Sequence, residues 1–475
     1  MMSAVGQFVW SLDDAAVDRT GKRIPRFQQL YQQVCQGVVS GRLPVGCRLP
    51  SSRVLAQELG VSRSVVVQAY DQLLAEGVLI SVAKTGLYVA DGQPMAKVAP
   101  TKLQTNKPVP HTKLCQFDSG ADVQMFPKRE WAASMRRAWL NPASSVLTGE
   151  ATGGYEPLQR ALSQYLLQLR GLECAPEQVF IVAGNRDALA LLQHTLQRSV
   201  AHWCIEDPCY PPIRASFAQH LTLPIDTEGA RPPTGSRWAA VLTPCRQYPL
   251  GMAYSSLRRE LWLNALAAEQ GFIIEDDYDN EFIYHGKPQV PWYQVAALRG
   301  VAQERIFYVG SLSKVLFRGL RLGFVVVPKS WVSRVAMSQQ QLGNAASLPL
   351  QPVVADFIET GAFYRHLNRM RRHYLQKRDY LLALLEQHLA PWFTWERPSG
   401  GMHCLIYLKN EYAIESRQKA LHQYAQHQGL HLSWLADHFS LPGEHPKGLV
   451  LGFTAPSTEE LEQWVKLLAK GMIIA

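Results

Sequence analysis

Short apolar runs recur along the last three-quarters of this chain: VFIVAG, HWCIED, WAAVLTP, GFIIEDD, RIFYVG and LGFVVVP. Each has strand length and little polar alternation, the mark of strands buried on both faces. Between them, segments such as 156–169, 187–196 and 257–270 carry helical periods. Strands alternating with helices predict an α/β fold with a mainly parallel sheet. The last third opens with a long basic helix over 364–389, carrying Arg365, Arg369, Arg371, Arg372, Lys377 and Arg378, which reads as a solvated helix face. Alternating apolar residues in GMHCLIYL and GLVLGF then predict a smaller α+β lobe.

The first ninety residues follow another pattern. PRFQQLYQQVCQGVVS places Phe27, Leu30, Tyr31, Val34 and Val38 at helical spacing, and Gly41 ends the helix. Ser51 is placed to cap SSRVLAQELG, and Ser62 to cap SRSVVVQAYDQLLAEG. Two short helices joined by a tight turn at Gly60 make a helix-turn-helix, and VLISVAKTGLYVA adds a hairpin, or wing. Such a module sets the start of its second helix in the major groove, here Ser62, Arg63 and Ser64. Arg48 and Arg53 flank the first short helix, where phosphates would lie.

Charge agrees. Residues 1–115 hold 13 Lys+Arg against 7 Asp+Glu, which is +6 of the chain's net +9, so the polyanion-binding part lies there. Residues 91–115, rich in Pro, Lys and polar residues without a period, read as a linker. The expected division is therefore 1–90 for DNA (core 25–90), 91–115 as linker and 116–475 as effector body. Eight cysteines without a CxxC pair fit a reduced compartment, and no apolar run is long enough to span a bilayer. The expectation is a cytoplasmic protein with no membrane partner and no metal site.

In the body, Lys314 stands between small hydroxyl residues in GSLSK, where a strand-like run ends. It reads as a loop lysine or as a nucleophilic amine screened from water. Asp276, at the end of GFIIEDD, can hold a pyridinium N–H, and Tyr278 two residues on falls on the same side. Ser311, Ser313 and Arg321 suit a phosphate, as do Gly184 and Asn185 at a strand-to-helix junction. Tyr210 in EDPCYPP can stack on a flat ring, or simply pack on proline.

RLPSSRVLAQELGVSR and the later AYDQLLAEG resemble the GntR-type winged-helix family. That resemblance implies a double-stranded DNA operator faced by Arg48, Ser51, Arg53, Ser62, Arg63, Ser64, Lys84, Thr85 and Gly86. The order GGYEPLQRAL, TPCRQYPLG, EDDYDNEF, GSLSK, GLRLG and PSGGMHC is similar to fold-type I aminotransferases. Both parts together resemble the MocR/GabR-type subfamily of GntR regulators. The resemblance implies pyridoxal 5′-phosphate as cofactor, held as a Schiff base by Lys314. Asp276 would lie on the ring nitrogen, Tyr278 and Gln247 near the 3′ oxygen, and Tyr210 on the ring. Gly184, Asn185, Ser311, Ser313 and Arg321 would hold the phosphate. It further implies a homodimer in a head-to-tail arrangement.

Departures from the family pattern bear on function. TPSHQYPTG is here TPCRQYPLG, with Arg246 and Leu250; SGAQQAL is AGNRDAL, with Asn185 and Arg186; SKTLFPGLRLG is SKVLFRGLRLG, with Arg318. The family's carboxylate-gripping arginine, in a stretch like LRLGF, is here Val450 in LVLGF. The expected function is a transcription regulator whose body senses pyridoxal phosphate, a B6 vitamer or a small amine. The alternative is a working aminotransferase with a DNA-binding appendage, in which Arg246, Arg318 or His403 replaces the missing arginine.

Overall fold

The computed structural model describes residues 8–13, 15–17, 21–91, 115–269, 271–300 and 302–474. Nearly all of the expected linker, residues 92–114, lies outside the described residues. The chain separates into two compact units, residues 1–112 and 113–475.

The first unit packs α1 (Arg26–Val39), α2 (Ser52–Glu58) and α3 (Arg63–Ala75) beside the hairpin β1 (Leu79–Val82) and β2 (Gly86–Val89). Leu30, Val34, Leu55, Val66, Ala69 and Leu73 are fully buried between them. Their spacing on each helix is what turns one face inward. Ser51 caps α2 by accepting from the Val54 N–H at 3.3 Å. Ser62 sits at the N-cap of α3 without bonding back to it, and its hydroxyl pairs with that of Ser64 at 2.9 Å. At the wing's tip Lys84 and Gly86 take φ of 65° and 126°. Thr85 donates its N–H and hydroxyl to the Val82 carbonyl, at 3.0 and 3.1 Å. Phe8 and Trp10 also join this core from the N-terminal segment, which carries no helical or strand period to place them.

The second unit is built on strands β3 (Cys115–Gln116), β4 (Val179–Val182), β5 (His202–Asp207), β6 (Leu221–Asp226), β7 (Gly229–Ala230), β8 (Trp238–Leu242), β9 (Phe272–Asp277), β10 (Ile306–Ser311) and β11 (Gly323–Val326). Those of the smaller lobe are β12 (Phe393–Trp395), β13 (His403–Leu408), β14 (Leu430–His431) and β15 (Gly448–Gly452). The main sheet runs β4-β11-β10-β9-β8-β5-β6-β7. Neighbours from β10 through β6 are parallel, while β11, between β4 and β10, and the edge strand β7 run antiparallel, so the sheet is mixed.

Alternation along each strand feeds two cores. Val179 and Ile181 enter one, Phe180 and Val182 the other; Ile273 enters the first, Phe272 and Ile274 the second. This two-sided burial is why the runs lack polar alternation. In the lobe β12, β13 and β15 form an antiparallel sheet, and β3 pairs with β14.

The basic helix, Ala362–His388, keeps Arg365 and Arg372 exposed, but Lys377 and Arg378 correct the reading of a solvated face. Lys377 is 3% exposed and Arg378 fully buried. Lys377 donates to Asp122 at 2.8 Å and to the Thr454 carbonyl at 2.7 Å; Arg378 donates to the Pro398 carbonyl at 2.8 Å. These cations tie distant segments to the helix, and burial is tolerated because each is paired. Among the described residues no helix is long and apolar enough to cross a membrane, and no cluster could hold a metal.

Candidate cofactor cavity and DNA-facing surface

A cavity of about 330 Å³ opens where the parallel strands end and the smaller lobe begins. β9 delivers the acid. Its parity sends Glu275 and Asp277 to one face and Asp276 to the other, where Asp276 lines the cavity. The two neighbours are spent structurally: Glu275 accepts the Trp292 and Tyr293 N–H groups at 2.9 and 3.0 Å, and Asp277 pairs with Arg170 at 2.6 Å. β10 lies parallel to β9, with Val309 opposite Asp276, so the loop after it brings Ser311, Ser313 and Lys314 to the same cavity.

Asn185 opens the helix Asn185–Leu196, capped by Gly184 at φ 102°, and reaches the wall too. Tyr278 lines the cavity with its hydroxyl buried and unpartnered. Tyr210 lines it as well, edge-on to Tyr248 at 5.4 Å. Thus Asn185, Tyr210, Asp276, Tyr278, Ser311, Ser313 and Lys314 are brought together.

Gly184, Gln247 and Arg321 are not on this wall. Arg321 is exposed with φ 47°. Gln247 is fully buried, its amide donating to the Pro208 and Tyr248 carbonyls at 2.7 Å each. Its neighbour Tyr248 takes the cavity instead, ringed by Tyr210, Tyr278, His403 and His438. Sequence reasoning missed Tyr248 although it adjoins Gln247 in the same motif. It also missed Asp118, Ser119, Glu206, Thr243, His431 and Ser433, which the fold gathers from separate segments.

Burial dominates the electrostatics. It raises the Asp276 carboxyl from 3.8 to about 7, although Asn185 hydrogen-bonds it. Burial also lowers the Lys314 amine, helped by the Arg318 charge. The Lys314 amine donates to the Ser119 carbonyl at 3.1 Å. Glu206, buried on the cavity wall, accepts from the Thr243 hydroxyl and the Tyr254 hydroxyl at 2.6 Å each. Val450 lines the cavity within an apolar cluster with Leu405 and Leu435.

This donor set fits pyridoxal phosphate. A depressed amine shares the cavity with a buried acid that Asn185 hydrogen-bonds, an unpaired phenol and two serine hydroxyls near a helix N-terminus.

On the first unit all nine DNA nominees are exposed: Arg48, Ser51, Arg53, Ser62, Arg63, Ser64, Lys84, Thr85 and Gly86. Arg63 begins α3 and donates to the Ser52 hydroxyl at 3.2 Å, which joins the two short helices at their starts. The Arg48 guanidinium lies over Gly86, only 3.2 Å from where a β-carbon would stand. A side chain at 86 would displace it.

Residues 26–89 match the model of "Bacterial regulatory proteins, gntR family", and 235–439 that of "Aminotransferase class I and II". A winged helix joined to a body of aminotransferase form defines a class: a DNA-binding transcription regulator built on an enzyme's fold. The chain belongs to the MocR-type subfamily of GntR regulators. It is 30% identical to the probable rhizopine catabolism regulatory protein MocR of Rhizobium meliloti, over 95% of this chain and 94% of that one. It is likewise 30% identical to the pyridoxine biosynthesis transcriptional regulator PdxR of Corynebacterium glutamicum, over 92% and 93%. Among solved structures the body is similar in fold to the α-aminoadipate aminotransferase LysN of Thermus thermophilus. That likeness has a TM-score of 0.64 and 23% identity, over 76% of this chain and 92% of that one. The aminotransferase body and the cavity's donor set indicate pyridoxal phosphate as the cofactor.

Proposed function

We propose that this regulator senses pyridoxal phosphate, or a closely related B6 vitamer, and that Lys314 is the residue that captures it. The observation that carries the reading is Val450. The family resemblance implies a carboxylate-gripping arginine there, but the wall is apolar, formed with Leu405 and Leu435. A valine offers no donor, and losing a bidentate charged contact costs several kcal/mol, on the order of two charged hydrogen bonds. α-Amino acids are therefore poor ligands, whereas an aldehyde needs only the amine. The similarity to the C. glutamicum pyridoxine biosynthesis regulator supports the same direction.

When bound, pyridoxal phosphate supplies an aldehyde for the lysine and an electron-withdrawing ring. In this reading Asp276 keeps the ring nitrogen's proton and Tyr278 donates its unpaired hydroxyl to the ring oxygen. Tyr210 covers the ring, and Gln247 acts from behind the wall by fixing Tyr248. Asn185, Ser311 and Ser313 hold the phosphate, with Gly184 and Arg321 contributing from outside the wall. Residues 1–90 bind the operator and 91–115 link them to the body, 116–475. The protein works in the cytoplasm as a homodimer, head-to-tail, with its two winged helices on paired half-sites.

The test is an operator titration at fixed salt with pyridoxal phosphate, pyridoxal, pyridoxamine phosphate and a panel of amines. Pyridoxal phosphate should change DNA affinity by about ten-fold, a common allosteric coupling. The reading fails if it leaves affinity unchanged while an amine or amino acid alters it.

A further inference from the structure

The first described residues after the linker lead directly into the cavity wall: Gln116, Phe117, Asp118 and Ser119 all line it. This segment is gripped from two sides. On one side Lys314 donates to the Ser119 carbonyl at 3.1 Å, and Arg318 pairs with the Asp118 carboxylate. The Arg318 guanidinium lies against Gly120, where a β-carbon would come within 3.2 Å of three of its atoms. The Gly120 N–H in turn donates to the Asp118 carboxylate at 3.0 Å.

On the other side the end of the lobe sheet holds the same residues. The Ala455 N–H donates to the Asp118 carbonyl at 3.1 Å, and the Thr454 hydroxyl to the Gly120 carbonyl at 2.6 Å. Gly452 packs so closely that a β-carbon would lie 2.3 Å from the backbone of Asp118 and Ser119.

We infer that residues 116–120 form a strap that reads whether Lys314 is engaged and passes the result to the DNA-binding module through the linker it continues. The inference rests on the reading that Lys314 captures the aldehyde. In that capture the amine adds to the carbonyl carbon, a C=N bond replaces the C=O, and the oxygen leaves as water. A lysine nitrogen carrying up to three N–H donors keeps at most one. That single N–H would be taken up by the ring's own phenolic oxygen, so the donation to Ser119 is lost and one of the strap's two side-chain tethers is released. Arg318 is the other tether and stands where the family resemblance has proline, so it is this chain's own positioning residue. It sets how far the strap can move once Lys314 lets go.

The experiment is hydrogen exchange on the full chain, following the peptide across residues 115–122 with and without pyridoxal phosphate. Borohydride trapping run in parallel measures attachment. Attachment should speed exchange there by about ten-fold, the effect of losing one charged hydrogen bond. Lys314→Ala should exchange fast already and ignore pyridoxal phosphate. Arg318→Gln should exchange faster when ligand-free, still respond to pyridoxal phosphate, and show a smaller ligand-induced change in DNA affinity. Attachment with no change in exchange would overturn the strap while leaving Lys314's role standing. An Arg318→Gln variant with an unaltered DNA response would overturn the hand-over. No attachment at all would remove the underlying reading and this inference with it.

Discussion

Asp276→Asn isolates what the cavity costs the ligand-free protein. Burial raises the Asp276 carboxyl from 3.8 to about 7. Between pH 4 and 7 the folded chain therefore holds a proton that the unfolded chain has released, so stability falls as pH rises through that window. Above about pH 7 the full cost stands. At about 1.36 kcal/mol per pKa unit, it comes to about 4 kcal/mol. The asparagine has the same shape, stays neutral and keeps a partner for Asn185. Ligand-free Asp276→Asn should thus be more stable than the parent at pH 8, by up to about 4 kcal/mol, with the gap narrowing to about 1.6 kcal/mol at pH 5 and closing near pH 4.

A pyridinium proton would give the ionised carboxylate a charged partner beside Asn185, so pyridoxal phosphate should stabilise the parent more than the variant. Urea unfolding at pH 5 and pH 8, with and without ligand, reads all four quantities. Glu275 and Glu281 are also raised to about 7 by burial, but both remain in the variant and cancel in the comparison. A gap of equal size at both pH values, or a variant less stable at pH 8, would refute the reasoning.

Three further outcomes are expected. Lys314→Ala should abolish the borohydride-reducible chromophore of protein loaded with pyridoxal phosphate while its circular dichroism is kept; an unchanged chromophore would remove Lys314 from its role. Arg53→Ala should weaken all DNA sequences alike and lower the salt slope by about one contact, whereas Arg63→Ala should relax sequence preference at a cost of about 1–3 kcal/mol. Millimolar α-amino acids should leave the bound cofactor's absorbance unchanged for minutes, and rapid conversion to the pyridoxamine form would show that Val450 does not exclude them.

The sequence made the strands, the winged helix and seven cavity residues legible because all of these obey short-range rules. Strand parity alone separates Asp276 from Glu275 and Asp277 once β9 is recognised. Roles decided by distant partners were not legible. Lys377 and Arg378 look like surface charges until Asp122, Thr454 and Pro398 are folded against them. Asp118 and Ser119 join the site only because Lys314 and Arg318, some two hundred residues later, lie beside them. Phe8 and Trp10 have no periodic neighbours to announce them, yet they complete the first unit's core.

The same long-range partners decide whether another cation replaces the arginine missing at Val450. His403 donates Nε2 to the Pro249 carbonyl at 2.8 Å, which leaves Nδ1 an acceptor, and a carboxylate is an acceptor too. Burial lowers its pKa to about 4, so it stays neutral near pH 7. Arg246 is off the cavity wall, its Nε facing the buried Asp279 at 3.3 Å. Turning it toward a ligand would strand that acid. Arg318 does line the cavity, but it already pairs with Asp118, and its side chain is 60% exposed. Trading one carboxylate for another at such an exposed site gains at most about 1 kcal/mol. None of the three supplies the free, pre-aimed fork that α-amino acid binding requires. A ligand that Lys314 can hold by its carbonyl alone escapes that requirement.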